Sequence, residues 1–224
     1  MNKIGIITLI VLSLISLAHA DEGPKVCWTT EFKSAFLIAP AVKLADEVWQ
    51  NDLTVKWTGG YFISAWVSTG YAEKDVTAGM PLKSLGLPGA VEGGIYMLPP
   101  TSKVSNDFFT ASWSTSHGPF AFSVQHLGGV GNDSPAGGWF LKADAAKAVS
   151  LSPEVKLKFH TRLTWDSGVA RRDSAFIARF KPELTIALPK DVSFFVGWEG
   201  HLPLTDRDAR DFQQASRAGL RFTF

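Results

Sequence analysis

Basic side chains recur at alternate positions in the last third of the sequence, where they could recognise anions. Successive side chains of a β-strand point to opposite faces, so residues two apart share one face. Such spacing would place the bases along one wall of a sheet, where their charge concentrates anions and excludes cations. The bases with this spacing are Lys156, Lys158, Arg162, Arg179, Lys181, Arg217 and Arg221.

A second kind of chemistry would need a serine beside a histidine. Outer-membrane lipid hydrolases activate a nucleophile through an adjacent base. The closest pairing is Ser123 with His126, but the His-x-Ser pattern typical of these enzymes is absent. His126 also shares the apolar face of Phe120, Phe122 and Val124. We therefore expect that the protein is not an enzyme. An outer-membrane lipid hydrolase is kept as the second alternative function.

Metal, cofactor and nucleic-acid sites are not indicated. The 5 histidines and 1 cysteine show no metal-ligand spacing. The segment 128–132 is rich in glycine but lacks the lysine and the following helix of a phosphate loop. The 22 Lys and Arg nearly balance the 21 Asp and Glu, so no nucleic-acid partner is suggested.

The first 20 residues have the anatomy of a secretory signal peptide. A positive start at 1–3 precedes an apolar run at 4–17 and a small-residue cleavage site at 18–20. We therefore divide the chain into a signal peptide, 1–20, and one exported domain, 21–224. No stretch of the exported domain approaches the ~18 apolar residues that a transmembrane helix needs.

The exported domain alternates apolar and polar residues, the period of β-strands. Eleven segments fit: 25–36, 49–57, 61–72, 90–98, 105–116, 119–128, 138–149, 154–165, 174–188, 192–202 and 214–224. Single-chain membrane barrels have an even number of strands, so this list is wrong by one. Strand directions assigned forward from the start of the exported domain disagree with those assigned backward from Phe224, and the disagreement lies between Thr69 and Gly138. We prefer 12 strands, with 10 as the alternative.

Alternation fits a soluble sandwich as well as a membrane barrel, and the aromatic residues favour the barrel. A membrane barrel turns its apolar faces to lipid and carries aromatic side chains at the two membrane boundaries. Aromatic residues near the ends of predicted strands are Trp28, Trp57, Trp165, Phe222 and Phe224. The predicted fold is therefore all-β, a closed antiparallel transmembrane β-barrel.

The C-terminus carries a family resemblance. Leu220, Phe222 and Phe224 alternate with polar or small residues and end the chain, which resembles the closing strand of Gram-negative outer-membrane β-barrel proteins. In that superfamily this strand is similar to the signal read by the barrel-assembly machinery. The resemblance implies an outer-membrane location, contact with the lipid bilayer and lipopolysaccharide, periplasmic chaperones as partners, and no cofactor.

Two weaker resemblances concern function. The segment 52–68, with Thr58-Gly59-Gly60 at its turn, resembles an early hairpin of small porin-like proteins of unknown substrate. The length of the exported domain and its ionic strand faces are similar to those of acidic-oligosaccharide porins. Neither resemblance identifies a solute.

If the apolar faces meet lipid, the polar faces line the interior. Eleven bases are expected there: Lys25, Lys33, Lys56, Lys142, Lys156, Lys158, Arg162, Arg179, Lys181, Arg217 and Arg221. Six acids are expected with them: Glu31, Asp52, Asp144, Glu154, Glu183 and Glu199. The residues predicted to line a pore are Lys56, Lys156, Lys158, His160, Arg162, Arg179, Lys181, Glu183, Glu199, Arg217 and Arg221.

This excess of bases predicts a passive channel that favours small anionic solutes. The alternative is a closed structural or adhesive barrel, in which the bases pair with acids across strands and transport nothing. The sequence leaves the solute and the oligomeric state open.

Overall fold

The computed structural model describes residues 23–38, 42–70, 72–97, 107–129, 137–168, 174–205 and 212–224. The predicted signal peptide, 1–20, lies outside these residues. Twelve antiparallel strands close into one barrel, in which the first strand pairs with the last. The prediction of a closed all-β barrel with 12 strands, rather than 10, is confirmed.

The strands in chain order are β1 Lys25–Lys33, β2 Phe36–Ile38, β3 Val42–Ala45, β4 Val48–Lys56, β5 Phe62–Ser68, β6 Lys74–Pro81, β7 Ala90–Met97, β8 Phe108–His117, β9 Phe120–Gly129, β10 Gly138–Ser150, β11 Val155–Asp166, β12 Ala175–Leu188, β13 Val192–Pro203 and β14 Gln213–Thr223. The short strands β2 and β3 pair only with each other, outside the barrel sheet. A single 3-10 turn, Leu82–Leu85, precedes β7. The described residues contain no helix long and apolar enough to cross a bilayer.

The strand missing from the sequence prediction is β6, which falls between Thr69 and Gly138 as the disagreement between strand directions required. It was missed because it is only 8 residues long and contains Gly79 and Pro81, which resemble turn residues. The predicted segment 61–72 ends earlier, at Ser68 of β5. A hairpin between β5 and β6 therefore restores the even number of strands.

The tight turns all lie at one end of the barrel, together with the C-terminus. There Val26 and Phe224 exchange backbone hydrogen bonds of 3.0 and 2.8 Å. Lys190 and Asp191, in the three-residue connection 189–191 between β12 and β13, both have positive φ, 62° and 56°. We call this the turn end, which also carries the connection 82–89 between β6 and β7, and we call the opposite end the loop end.

The outer faces of the strands are apolar and exposed. At the turn end Trp28 stacks on Phe222 with ring centroids 5.0 Å apart, and at the loop end Trp49 and Trp139 point outward. Exposed aromatic residues at both ends of a barrel wall match the two boundaries of a bilayer. Lys147 also faces outward, beside Phe159, near the turn end of β10.

Candidate functional site: the charged interior

The inward faces of the strands form two contrasting surfaces. We call the inward side chains of β10–β14 the late wall and those of β4–β8 the early wall; β1 and β9 join them. Every residue predicted to line a pore lies on an inward face, with Lys56 on β4 and the others on the late wall. The predicted assembly residues Leu220 and Phe222 face outward on β14, and Phe224 follows that strand.

Glu183 is the centre of the largest ionic cluster on the late wall. Its carboxylate accepts a hydrogen bond from Thr185 at 3.1 Å and lies 3.3 Å from Nη2 of Arg217. Lys158 Nζ and Arg221 Nη2 lie at 3.8 and 3.9 Å from it. One carboxylate therefore faces three bases contributed by β11 and β14.

Arg217 also contacts Glu31 of β1 through its Nε atom, so it bridges two acids. Only 3% of its side chain is exposed. A buried guanidinium needs paired carboxylates, because an unpaired buried charge is costly. A further buried pair joins Lys33 to Glu199 at 3.3 Å. These contacts tie β1, β12, β13 and β14 together inside the barrel.

An aromatic side chain that the sequence analysis did not select holds this cluster in place. Phe195 is completely buried, and the guanidinium carbons of Arg217 and Arg221 lie 5.0 and 5.1 Å from its ring centroid. It faces Gly219, the residue midway between the two arginines on the inward face of β14. In the sequence, Phe195 could have been selected because it is an aromatic residue on an otherwise polar face of β13.

Glycines make room for these contacts. A Cβ at Gly219 would lie 2.2 Å from the Thr30 carbonyl oxygen and 2.6 Å from the Phe195 ring. A Cβ at Gly197, which stands between Arg217 and Glu183 in the register, would lie 2.5 Å from the Pro182 carbonyl oxygen. The bridge from β14 to β12 therefore depends on the absence of a side chain on β13.

A second cluster on the late wall has fewer acids. Asp144 of β10 contacts Nε2 of His160 at 2.6 Å and Nε of Arg162 at 2.7 Å. Nδ1 of His160 lies 3.3 Å from Nη2 of Arg179. A neutral His160 that donates from Nε2 and accepts at Nδ1 fits both contacts. Arg162 thus contacts the carboxylate directly, and Arg179 is connected to it through His160.

The acids of the interior are more numerous than the sequence predicted. Asp75 and Glu92 face inward on β6 and β7, and Asp166 faces inward at the end of β11. Glu154, predicted to face inward on a strand, lies in the turn before β11. Asp75 could not be assigned to a face because β6 was not predicted as a strand. The inward position of Glu92 depends on its pairing with the same strand, so it was not predicted either. On the barrel strands that the structure describes, the eleven inward bases therefore face eight acids, not six.

The early wall contains few bases and several aromatic groups. On β4 it carries Lys56 and Asp52, and Oδ1 of Asp52 accepts hydrogen bonds from Thr54 at 3.0 Å and Ser64 at 2.8 Å. Trp66 pairs with Asp52 on one side and with Asp75 on the other. Acids and aromatic rings therefore alternate around this side of the barrel.

The serine and histidine considered for a hydrolase do not meet. Ser123 pairs with Lys142 on the inward face of β9, whereas His126 faces outward and packs against Trp139 at 4.6 Å. Among the described residues no group of three or more His, Cys, Asp or Glu could hold a metal ion. Cys27 is a free cysteine on the inward face of β1.

Comparisons with known proteins show the fold. No family model matches the chain and no curated protein matches it. Solved structures are similar to it, among them the following two. The KdgM porin has 11% identity and a TM-score of 0.50 over 89% of this chain and 99% of that one. The translocator domain of autotransporter NalP from Neisseria meningitidis has 9% identity and a TM-score of 0.51 over 98% and 95%. The chain thus has the fold of outer-membrane β-barrels, which serves both a porin and a translocator.

Proposed function

We propose that the protein is a passive channel of the bacterial outer membrane that favours small anionic solutes. The observation that carries this proposal is the excess of bases on the late wall, where eight inward bases face the four acids Asp144, Asp166, Glu183 and Glu199. Lys142, Arg162, Arg179 and Lys181 face inward on β10–β12, where Asp144 contacts Arg162 directly and Arg179 only through His160. Such a wall attracts anions into a confined space and repels cations.

Side-chain exposure separates the bases that can meet a solute from those that hold the wall together. The Lys158 side chain is 42% exposed, and those of Arg162 and Arg221 are partly exposed. Arg217 and Lys33 are buried in ion pairs. The exposed bases therefore supply the field that a passing anion experiences, while the buried ones stabilise the barrel.

The proposed location follows from the outward apolar faces and the C-terminal strand, together with the predicted signal peptide. We propose that the turn end faces the periplasm and the loop end the outside, with lipid and lipopolysaccharide around the barrel. Periplasmic chaperones and the barrel-assembly machinery would act on Leu220, Phe222 and Phe224. We assign no catalytic role, since Ser123 and His126 lie on opposite faces of β9.

A closed structural barrel is the second candidate, and the buried pairs Glu31–Arg217 and Lys33–Glu199 favour it. Acid–base pairs that fill the interior would solvate it without leaving a path for ions. This candidate and the channel differ in one measurable property, the ionic conductance of a single barrel.

Recordings in planar bilayers under a salt gradient test the proposal. Single-channel steps with a reversal potential on the anion side are expected. Lys158→Gln combined with Lys181→Gln should lower the anion-to-cation permeability ratio by about two-fold or more, because both charges face the interior. The matched control is Lys147→Gln, which removes an outward charge and should leave the reversal potential unchanged.

Two results would contradict the proposal. Bilayers that contain folded barrels but show no conductance steps would support the closed structural barrel. A reversal potential on the cation side, or one that ignores the loss of both lysines, would show that the late wall does not select the permeating ion.

A further inference from the structure

A separate cavity opens between the two walls, where β14, β1, β4 and β5 meet. Its volume is about 190 Å³, and it is lined by Thr29, Glu31, Gln50, Asp52, Trp66 and Arg221. At roughly 30 Å³ per water molecule in the liquid, this space corresponds to about six waters. It therefore fits one small polar solute rather than an extended chain.

The strand register orders the groups that line this cavity. Arg221 pairs with Thr29, Thr29 pairs with Asp52, and Asp52 pairs with Trp66. Neighbouring strands lie about 4.8 Å apart, so the α-carbons of Arg221 and Asp52 are separated by about 10 Å. Only the short side chain of Thr29 stands between them. A base and an acid thus face one space from its two sides.

Gln50 adds an unused hydrogen-bond donor. It lies next to Asp52 on the inward face of β4 and is only 4% exposed. Its Nε2 atom has no hydrogen-bond partner among the described residues. A buried donor without a partner is unfavourable, and a ligand oxygen in the adjoining cavity would satisfy it.

The two charged groups are also available to a ligand. The Arg221 side chain is partly exposed and approaches Glu183 only to 3.9 Å. The Asp52 carboxylate accepts from two hydroxyls, both at Oδ1, which is part of the roughly four bonds that a carboxylate can accept. Glu31, the other acid of the cavity, is already bridged by Arg217.

We propose that this cavity binds a small zwitterion, a solute that carries both a carboxylate and an ammonium group, as amino acids do. The guanidinium of Arg221 and the amide of Gln50 would donate to the carboxylate. The carboxylate of Asp52 and the face of Trp66 would receive the ammonium group. The proposal rests on the proposed channel function, since the solute enters from the barrel interior.

The charges explain why a zwitterion fits better than a simple ion. A simple anion bound at Arg221 would also face the Asp52 carboxylate, and a simple cation bound at Asp52 would face the Arg221 guanidinium. Each would meet a repulsive charge that disfavours it. A solute with both charges satisfies both sides of the cavity.

Matched small solutes test the proposal on the full chain in planar bilayers. L-alanine, propanoate, ethylammonium and glucose are each titrated over the same range of concentrations at neutral pH. L-alanine is expected to interrupt the current at concentrations at least about five-fold lower than the other three, because it alone bonds both charged groups. This comparison uses the unaltered protein and needs no variant to fold.

Variants then identify the residues. Asp52→Asn should weaken the interruption by L-alanine at least about five-fold, since it removes the charge that receives the ammonium group. Gln50→Leu keeps the size of the side chain and should also weaken it. The matched control is Glu154→Gln, which removes a carboxylate in the turn before β11, away from the cavity.

The proposal is overturned if propanoate or glucose acts as strongly as L-alanine, or if Asp52→Asn leaves the L-alanine effect intact. Isothermal titration calorimetry on the detergent-solubilised barrel separates this outcome from failure of the channel function. L-alanine should release or absorb heat with a saturable, Asp52-dependent response even in a barrel that conducts no ions. Absence of both conductance and heat would refute both proposals independently.

Discussion

The strands of the late and early walls share the alternation of inward and outward residues, but they differ in length and in the kind of side chain that faces inward. The late strands are long, from 11 residues in β14 to 14 in β12, and their inward faces are dense with ion pairs. The early strands are shorter, from 7 residues in β5 to 10 in β8, and their inward faces mix acids, aromatic rings and hydroxyls. Glu183 and Asp144 on the late wall each contact more than one basic side chain, whereas Asp52 on the early wall is held by hydroxyls.

The contrast shows that inward charge serves two purposes in one barrel. Glu183 and Arg217 are buried together, so their charges mainly hold strands to one another. Asp52 and Arg221 line a cavity, so their charges are available to a solute. The difference lies in burial and in the number of oppositely charged neighbours, not in residue type.

Among the variants considered, removal of the Glu183 charge should lower the free energy of unfolding the most. Glu183→Gln keeps the shape of the side chain but leaves Arg217 with one acid instead of two and takes a counter-charge from Lys158 and Arg221. Loss of one partner from a buried ionic cluster costs about 3–5 kcal/mol. The free energy of unfolding in urea, measured in lipid vesicles, should fall by about that amount.

The early wall supplies the matched control for that variant. Asp52→Asn is also isosteric but retains hydrogen-bonding capacity toward Thr54 and Ser64, so its cost should stay near 1 kcal/mol. If both variants lowered the free energy of unfolding equally, the Glu183 charge would not stabilise the barrel more than the Asp52 charge does, and the distinction between the two walls would be wrong.

The difference between the walls also decided what the sequence could predict. On the late strands, long runs such as 155–165 alternate without interruption, so their bounds and faces follow from the period of two. On the early strands, β6 contains glycine and proline at Gly79 and Pro81, and its inward face mixes Asp75 with Thr77. Its place in the barrel is fixed by hydrogen bonds to β5 and β7, which alternation alone does not reveal.

The sequence could predict which side chains face the interior, but not which side chains they contact there. The period of two placed Arg217 and Arg221 inside, because Leu220 and Phe222 are apolar. It could not indicate that Phe195 would lie between the two guanidinium groups, since that contact depends on the register of β13 with β14. Bridges across an intermediate strand, such as Arg217 to Glu183, depend on the missing side chain of Gly197 in the same way.

Glu73, in the loop before β6, offers a pH-dependent test at the loop end of the early strands. It is only 8% exposed, and burial raises its pKa from 4.5 to about 7, although a hydrogen bond with Asp75 opposes the shift. Because the folded chain holds this proton more tightly than the unfolded chain, the contribution of Glu73 to stability is fully present below pH 4.5. That contribution is lost as the pH rises through about 7.

Glu73→Gln should therefore stabilise the barrel at pH 8 by about 3–4 kcal/mol and change little at pH 4, since one unit of pKa corresponds to about 1.4 kcal/mol. Urea unfolding at both pH values measures the difference. Glu154→Gln, in an exposed turn at the other end of the barrel, is the control and should show no such dependence on pH. A gain at pH 4 as large as that at pH 8 would refute the assignment of the buried proton to Glu73.

Two glycines complete the comparison between the late and early strands. A Cβ at Gly219 of β14 would lie 2.2 Å from a backbone oxygen and 2.6 Å from Phe195, and neither of these groups can move freely. A Cβ at Gly93 of β7 would meet no atom closer than 3.6 Å, so it enters ordinary van der Waals contact. Gly219→Ala should lower the free energy of unfolding by about 1–3 kcal/mol, the cost of overpacking.

Gly93→Ala should instead be neutral or raise stability by up to about 1 kcal/mol, because alanine loses less conformational entropy than glycine on folding. The pair separates crowding from the general effect of glycine in a strand, since both residues lie in mid-strand and gain the same methyl group. Adding Phe195→Leu to Gly219→Ala should recover part of the loss, because the shorter side chain leaves room for the new Cβ. If it recovers nothing, the contact with the Thr30 carbonyl alone determines the cost, and the arginine–phenylalanine stack is not what makes β14 intolerant of a side chain at this position.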